Sequence, residues 1–150
     1  MKKNSQLSPS MEDYLETILT LESTNRVARV KDIAEALNVQ MPSVTSALKT
    51  LKERGMVNYE KNSYIMLTDP GKNVARSVIE RHFAVAGFLQ KVLCVPTEQS
   101  QETACRIEHV ISPEIAQRLK NLTNQIESLL EHGAIDRGEW RKIIIDQEAQ

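Results

Sequence analysis

Between residues 31 and 68, short apolar-striped segments alternate with turn-forming residues in an order that few folds accommodate. Residues 31–37 carry Ile33, Ala34 and Leu37 at helical spacing. Asn38-Val-Gln-Met41 makes a turn, and Pro42 stands where the first turn of a helix tolerates proline. Residues 43–54 form the next predicted helix, with Val44, Ala47, Leu48 and Leu51 inward and Gly55 as its C-terminal stop. Residues 56–60 and 64–68 are short strands around the polar Lys61-Asn-Ser63, which predicts a hairpin. Two short helices across a tight turn, followed directly by a hairpin, predict a winged helix-turn-helix.

The flanking chain is mostly helical in pattern. Residues 1–9 read as a polar arm. Ser10 then opens a helix with Tyr14, Leu15, Ile18, Leu19 and Leu21 as its stripe, and Ser10-Met-Glu-Asp13 fits a variant capping box. Residues 26–30 are β-branched enough for a small strand. Asp69-Pro-Gly punctuates the chain, and residues 72–93 form a long connector helix. After Pro96 comes a helix predicted to end near Ser112-Pro113. Residues 114–130 form another, with Ile115, Leu119, Leu122, Ile126, Leu129 and Leu130 apolar. Gly133 stops that helix, and the tail with Trp140 and Ile143-Ile-Ile145 fits a helix or a strand equally well. The expected fold is mainly α, with an N-terminal winged helix-turn-helix and small β-wing over residues 1–71 and a helical domain over 72–150.

Composition excludes several classes. No apolar run is long enough to span a membrane, and Met1-Lys-Lys-Asn-Ser-Gln lacks a signal-peptide core. Two cysteines without a framework of spacings predict a reducing, cytoplasmic setting. The formal net charge is −1, but its distribution is uneven. Residues 26–61 hold seven basic and four acidic residues, net +3, whereas residues 83–150 hold seven and ten, net −3. That asymmetry is compatible with a DNA-facing module joined to an acidic partner region.

Two constellations carry chemistry. On the second helix of the helix-turn-helix, Gln40, Ser43 and Ser46, with Pro42 and Thr45 beside them, are candidates for the major groove. Lys49, Lys52 and the wing's Lys61 suit phosphates. A solvated helix face accounts for any one of them equally well. Downstream, Cys105 stands three residues before Glu108 and four before His109, so a helix would gather a thiolate, a carboxylate and an imidazole. That donor mixture suits a borderline transition metal. A buried small cysteine beside capping or paired polar groups is the alternative. By spacing alone, Asp13 and Glu16 read as a capping acid and a solvated carboxylate, and His82 as a hydrogen-bonded core histidine. No HExxH, Gly-rich phosphate loop or serine nucleophile elbow is present, so a small metallo- or thiol enzyme using Cys105 ranks low.

Four pieces of the chain together resemble the diphtheria-toxin-repressor or iron-dependent-repressor family, which includes the shorter manganese transport regulators. They are Ser10-Met-Glu-Asp-Tyr-Leu-Glu16, Arg29-Val-Lys-Asp-Ile-Ala-Glu-Ala-Leu37, Pro42-Ser-Val-Thr45 and Ala104-Cys-Arg-Ile-Glu-His-Val-Ile-Ser112, with Arg81-His82 on the connector. The resemblance implies a homodimeric, metal-activated repressor on a palindromic DNA operator, with residues 72–150 as the dimerisation and metal-binding domain and no small-molecule substrate. It implies metal ligands at Asp13, Glu16, His82, Cys105, Glu108 and His109. This sequence mixes the family's branches: Asp13 and Glu16 resemble the manganese branch, Cys105 the iron branch. The iron branch's ancillary site needs a Glu four after the connector His and a His four before the Cys; Ala86 and Gln101 stand there, so that site is expected to be absent or rebuilt. On the same resemblance, the longer members' SH3-like domain is expected to be absent. Cys105 draws selectivity towards Fe(II), with Co(II), Ni(II) or Zn(II) able to substitute, whereas Asp13 and Glu16 favour Mn(II). Fe(II) is the slightly preferred expectation over Mn(II). A winged-helix regulator with a purely structural zinc is the alternative.

Overall fold

The computed structural model describes residues 7–25, 27–60 and 63–145. Its elements are α1 (Pro9–Asn25), α2 (Val30–Ala36), α3 (Met41–Glu53), β1 (Val57–Asn58), β2 (Met66–Leu67), α4 (Asp69–Lys91), α5 (Thr97–Ile107), α6 (Pro113–Glu131) and α7 (Arg137–Ile145). The chain divides into two compact units, residues 1–78 and 79–150, the division falling within α4. Among the described residues no helix is long and apolar enough to cross a membrane. The mainly α architecture with a small β-wing is the one expected from the sequence.

The first unit is built around α1–α3. Leu15 and Ile18 from α1, Ile33 from α2, and Val44, Leu48 and Leu51 from α3 are fully buried together, with Val57 and Ile65 from the wing closing the core. Complete burial of each such side chain is worth about 1.5–3 kcal/mol. Both helix ends in the helix-turn-helix depend on a residue in the left-handed region. Asn38, at φ 51°, follows α2 and lets its own N–H reach Glu35 O while Val39 N–H reaches Ala34 O. Asparagine is one of the few side chains that tolerate this conformation. Gly55, at φ 71°, ends α3 in the same way, with Gly55 N–H to Lys52 O and Met56 N–H to Leu51 O, the Schellman pattern.

Several local expectations are corrected. α1 begins at Pro9, so the helix start is served by Ser8 rather than Ser10. The Ser8 carbonyl accepts from Met11 and Glu12 N–H at 2.9 and 3.0 Å. Of the strand expected over residues 26–30, the described residues 27–30 show a single antiparallel bridge, Ala28 to Ile65, because α2 already starts at Val30. Among the described residues the wing pairs two residues on each side, Val57 with Leu67 and Asn58 with Met66. Asp69-Pro-Gly does not interrupt the chain. It forms the first turn of α4, where proline needs no hydrogen-bond partner, and Thr68 Oγ1 accepts from Gly71 N–H at 3.2 Å.

In the second unit, Val85 and Ala86 of α4 pack with Ala104 of α5, and Leu89, Ile107, Ile111 and Leu119 surround them. Ser112 caps α6, its hydroxyl accepting from Ile115 N–H at 3.2 Å. The buried line of α6 is Ala116, Thr123 and Leu130; Ile115 and Leu122, expected inside, are about half exposed because they lie one step round the helix. The tail is helical as α7, and Trp140 Nε1 donates to Val92 O at 2.9 Å.

Candidate metal centre and nucleic-acid face

Within the second unit, His82 projects from α4 four residues after Val78 and four before Ala86, both buried. Small residues at Ala86 and Ala104, both almost wholly buried, leave room for a ring between the two backbones. α5 ends at Ile107, earlier than predicted. Glu108 is its C-cap, still in right-handed helical conformation at φ −55° and ψ −30°, with its N–H on Ala104 O. The helical relation of Cys105 to Glu108 therefore survives, while His109 enters the turn. Arg81, only 8% exposed, donates through Nε to Glu108 O at 2.6 Å. That bond satisfies a carbonyl the helix end would otherwise leave without an intrahelical donor, and it holds the cap in place.

The side chains converge on the carboxylate of Glu108, whose side chain is 2% exposed. Its Oε2 lies 2.6 Å from His82 Nδ1, and its Oε1 lies 3.4 Å from His109 Nε2. Cys105 Sγ is 3.8 Å from the same His82 Nδ1. On its far side, His82 Nε2 meets Gln101 Oε1 at 2.6 Å. Ligand atoms of His82, Cys105 and Glu108 all fall within 4.8 Å of one another. Ligands sharing one ion at about 2.0–2.3 Å must lie within about 4.6 Å, so small side-chain adjustments suffice. The donor set of one sulfur, one nitrogen and one oxygen fits a borderline divalent cation.

Asp13 and Glu16 stand on α1 in the first unit, both half-buried. Burial of Tyr14, with the negative charge of Asp13 adding to it, pushes the Tyr14 hydroxyl above its ordinary value of 10.0. Sequence spacing pointed to Cys105, Glu108 and His109, but it missed Gln101 and Arg81 as partners of the cluster. Their contacts cross between helices, and no local pattern reports that.

The nucleic-acid candidates lie in the first unit. Gln40, Pro42, Ser43, Ser46 and Lys49 are exposed on or just before α3. Thr45 is half-buried, and its hydroxyl donates back to Met41 O at 3.1 Å. Lys52 donates to Tyr59 O at 2.8 Å, so one of its three N–H groups braces the wing. Lys61 lies outside the described residues. Beside α3 runs an open cleft lined by Arg29, Lys31, Lys49 and Lys52, with Glu60 as the acidic residue on its wall. Arg29 sits over the Tyr64 ring, 5.2 Å from its centroid, and reaches the Tyr64 hydroxyl at 3.4 Å. The sequence showed Arg29 and Lys31 in a charge count and in one of the stretches that carry the family resemblance, without assigning either to this cleft, and nothing in it singled out Tyr64.

Comparison with known proteins places both units. Residues 6–64 match the iron dependent repressor N-terminal DNA binding domain, and residues 68–135 match the iron dependent repressor metal binding and dimerisation domain. An HTH-type transcriptional regulator of Methanocaldococcus jannaschii is 37% identical over 115 residues, covering 76% of this chain and 92% of the relative. The HTH-type transcriptional regulator MntR of Bacillus subtilis is 36% identical over 120 residues, covering 80% and 84%. Among solved structures, the manganese regulator SloR matches with a TM-score of 0.68 at 30% identity, over 79% of this chain and 55% of that one. The T. acidophilum IdeR structure matches with a TM-score of 0.65 at 28% identity, over 84% and 55%. This chain thus spans about half the length of those two solved proteins. Both domain types occur here in order, and two regulators share over a third of their aligned residues across most of their length, so the chain belongs to the iron-dependent repressor family of metal-dependent, DNA-binding transcriptional regulators.

Proposed function

We propose that the protein represses metal-uptake or metal-homeostasis genes, binding a palindromic operator as a homodimer when loaded with Fe(II) or Mn(II). The observation that carries this is the convergence of His82 Nδ1 and Cys105 Sγ on the buried Glu108 carboxylate, inside the segment that matches the family's metal-binding domain. His82, Cys105, Glu108 and His109 are the proposed ligands from the second unit. Asp13 and Glu16 complete the set, an assignment that rests on the family resemblance of residues 10–16. When bound, the ion supplies positive charge and fixed coordination directions. The chain's own residues do the rest: Arg81 holds the Glu108 backbone, and α4 and α5 orient His82 and Cys105. Ligands drawn from both units make metal binding and one relative arrangement of the units mutually stabilising, and operator affinity rises by linkage.

On the DNA side, Gln40, Pro42, Ser43, Thr45 and Ser46 are proposed to face the major groove, and Lys49, Lys52 and Lys61 the phosphates. Cys105 favours Fe(II) slightly over Mn(II), because a thiolate suits the softer ion. The test is an anaerobic, metal-by-metal titration of binding to a palindromic duplex selected in vitro, with the Glu108→Ala variant in parallel. Binding should tighten with Fe(II) or Mn(II) in the wild type and be unresponsive in the variant. Equal operator affinity with chelator and with excess metal would refute the switch.

A further inference from the structure

His82 meets polar partners at both ring nitrogens, and the two sides make different demands. Nδ1 faces the proposed ligand cluster, 2.6 Å from Glu108 Oε2 and 3.8 Å from Cys105 Sγ. Nε2 faces Gln101 Oε1 at 2.6 Å. A neutral imidazole has one N–H and one lone pair, and only the lone-pair nitrogen can bind a metal. Both ring nitrogens face acceptor oxygens, Glu108 Oε2 at Nδ1 and Gln101 Oε1 at Nε2; a cation at the cluster would engage the first, and Gln101 Oε1, which accepts and donates none, would then hold the single ring proton on Nε2. That tautomer leaves the Nδ1 lone pair directed at the cluster. With the amide reversed, its NH2 would donate to Nε2 and the ring proton would move to Nδ1, blocking the metal-facing side. The orientation of one glutamine amide is therefore coupled to which nitrogen of His82 is available.

We propose that Gln101 is a positioning residue that holds His82 in the Nε2–H tautomer and presents Nδ1 to the metal. The placement supports this: Gln101 lies four residues before Cys105 on α5, so one helix face carries both a proposed ligand and the group that orients another. Ala104, fully buried on the same helix, packs with Val85 and Ala86 of α4. A hydrogen-bond acceptor on the outer nitrogen of a metal-binding histidine orients the ring and raises its basicity, and losing one typically weakens metal binding about 10–100-fold.

The inference rests on the metal site proposed above, so the experiment separates the two. Zn(II) affinity of the full chain is measured by competition with a chromophoric chelator for the wild type, Gln101→Leu, Gln101→Glu and Glu108→Ala. Long-range proton–nitrogen NMR of the Zn(II)-loaded wild type identifies the protonated nitrogen of His82. The expected results are a proton on Nε2, about 10–100-fold weaker Zn(II) binding in Gln101→Leu, and binding by Gln101→Glu at least as tight as wild type, since a carboxylate can only accept. Zn(II) affinity within twofold of wild type in Gln101→Leu, or Zn(II) on Nε2 of His82, overturns the role of Gln101 while leaving the metal site standing. If Gln101→Leu fails to fold, the wild-type spectrum and the Gln101→Glu affinity decide. Wild-type and Glu108→Ala proteins with the same Zn(II) affinity overturn the site and the inference together.

Discussion

Replacing Gly71 by alanine tests how the wing is joined to α4, and Gly87 in the same helix provides the control. A Cβ at position 71 would lie 2.0 Å from Met56 O and 3.0 Å from its carbonyl carbon, whereas ordinary contacts begin near 3.4 Å. The neighbouring backbone must therefore retreat by about 1.4 Å. Met56 O is also the acceptor for Thr68 N–H at 3.0 Å, so the retreat breaks a bond worth about 0.5–1.5 kcal/mol. Overpacking against a fixed backbone adds about 1–3 kcal/mol, and the better helix propensity of alanine returns about 1 kcal/mol. Gly71→Ala should thus be destabilised by about 0.5–3.5 kcal/mol. At Gly87 an added Cβ meets nothing within 4 Å, so only the propensity gain remains and Gly87→Ala should be stabilised by about 0.5–1 kcal/mol. Denaturant unfolding followed by circular dichroism measures both. Equal stability of Gly71→Ala and wild type, or shifts of the same sign in both variants, would refute the reasoning.

Three further outcomes are expected. Tyr14 resists ionisation in the folded state, so its contribution is fully present below its ordinary value of 10.0 and is lost as pH rises through its raised folded value. Tyr14→Phe should lack that alkaline decline, and a stability difference between the two proteins that stays flat across pH 10.0 would contradict the assignment. Glu22 Oε1 accepts from Leu67 N–H at 2.9 Å, tying α1 to strand β2. Glu22→Ala should cost about 1.5–3 kcal/mol and speed exchange of the Leu67 amide, so an unchanged exchange rate would discount the tie. Lys49→Ala should weaken operator binding about equally for all sequences and lower the slope of log affinity against log salt by about 1; an unchanged slope would remove Lys49 from the phosphate contacts.

The legible parts of this chain were those governed by local periodicity. Ile33, Val44, Leu48 and Leu51 were expected inside because apolar residues three and four apart share one helix face, and all four are fully buried. Gly55 was expected as the stop of α3 because only a residue that adopts positive φ readily can close that turn. Boundaries were less legible. Ser10 competes with Ser8 as the start of α1, and a Pro-Gly pair reads as a break until Thr68 caps a helix over it.

At the metal centre, the sequence by itself determined the chemistry of the donors. Cys105, Glu108 and His109 are adjacent along one short stretch, and the helical relation of Cys105 to Glu108 survives the end of α5 at Ile107 while His109 enters the turn. Tertiary structure decided which atoms meet. Whether His82 of α4 lies beside that stretch depends on how closely two helices pack, which Ala86 and Ala104 permit by being small. Its Nδ1 faces Glu108 and its Nε2 faces Gln101 because the two partners come from opposite sides of the ring. The same holds for Arg81, whose bond to Glu108 O spans 27 residues of sequence. Spacing along a helix records which side chains share its face, whereas contacts between helices depend on packing distance and ring orientation, which no periodicity encodes.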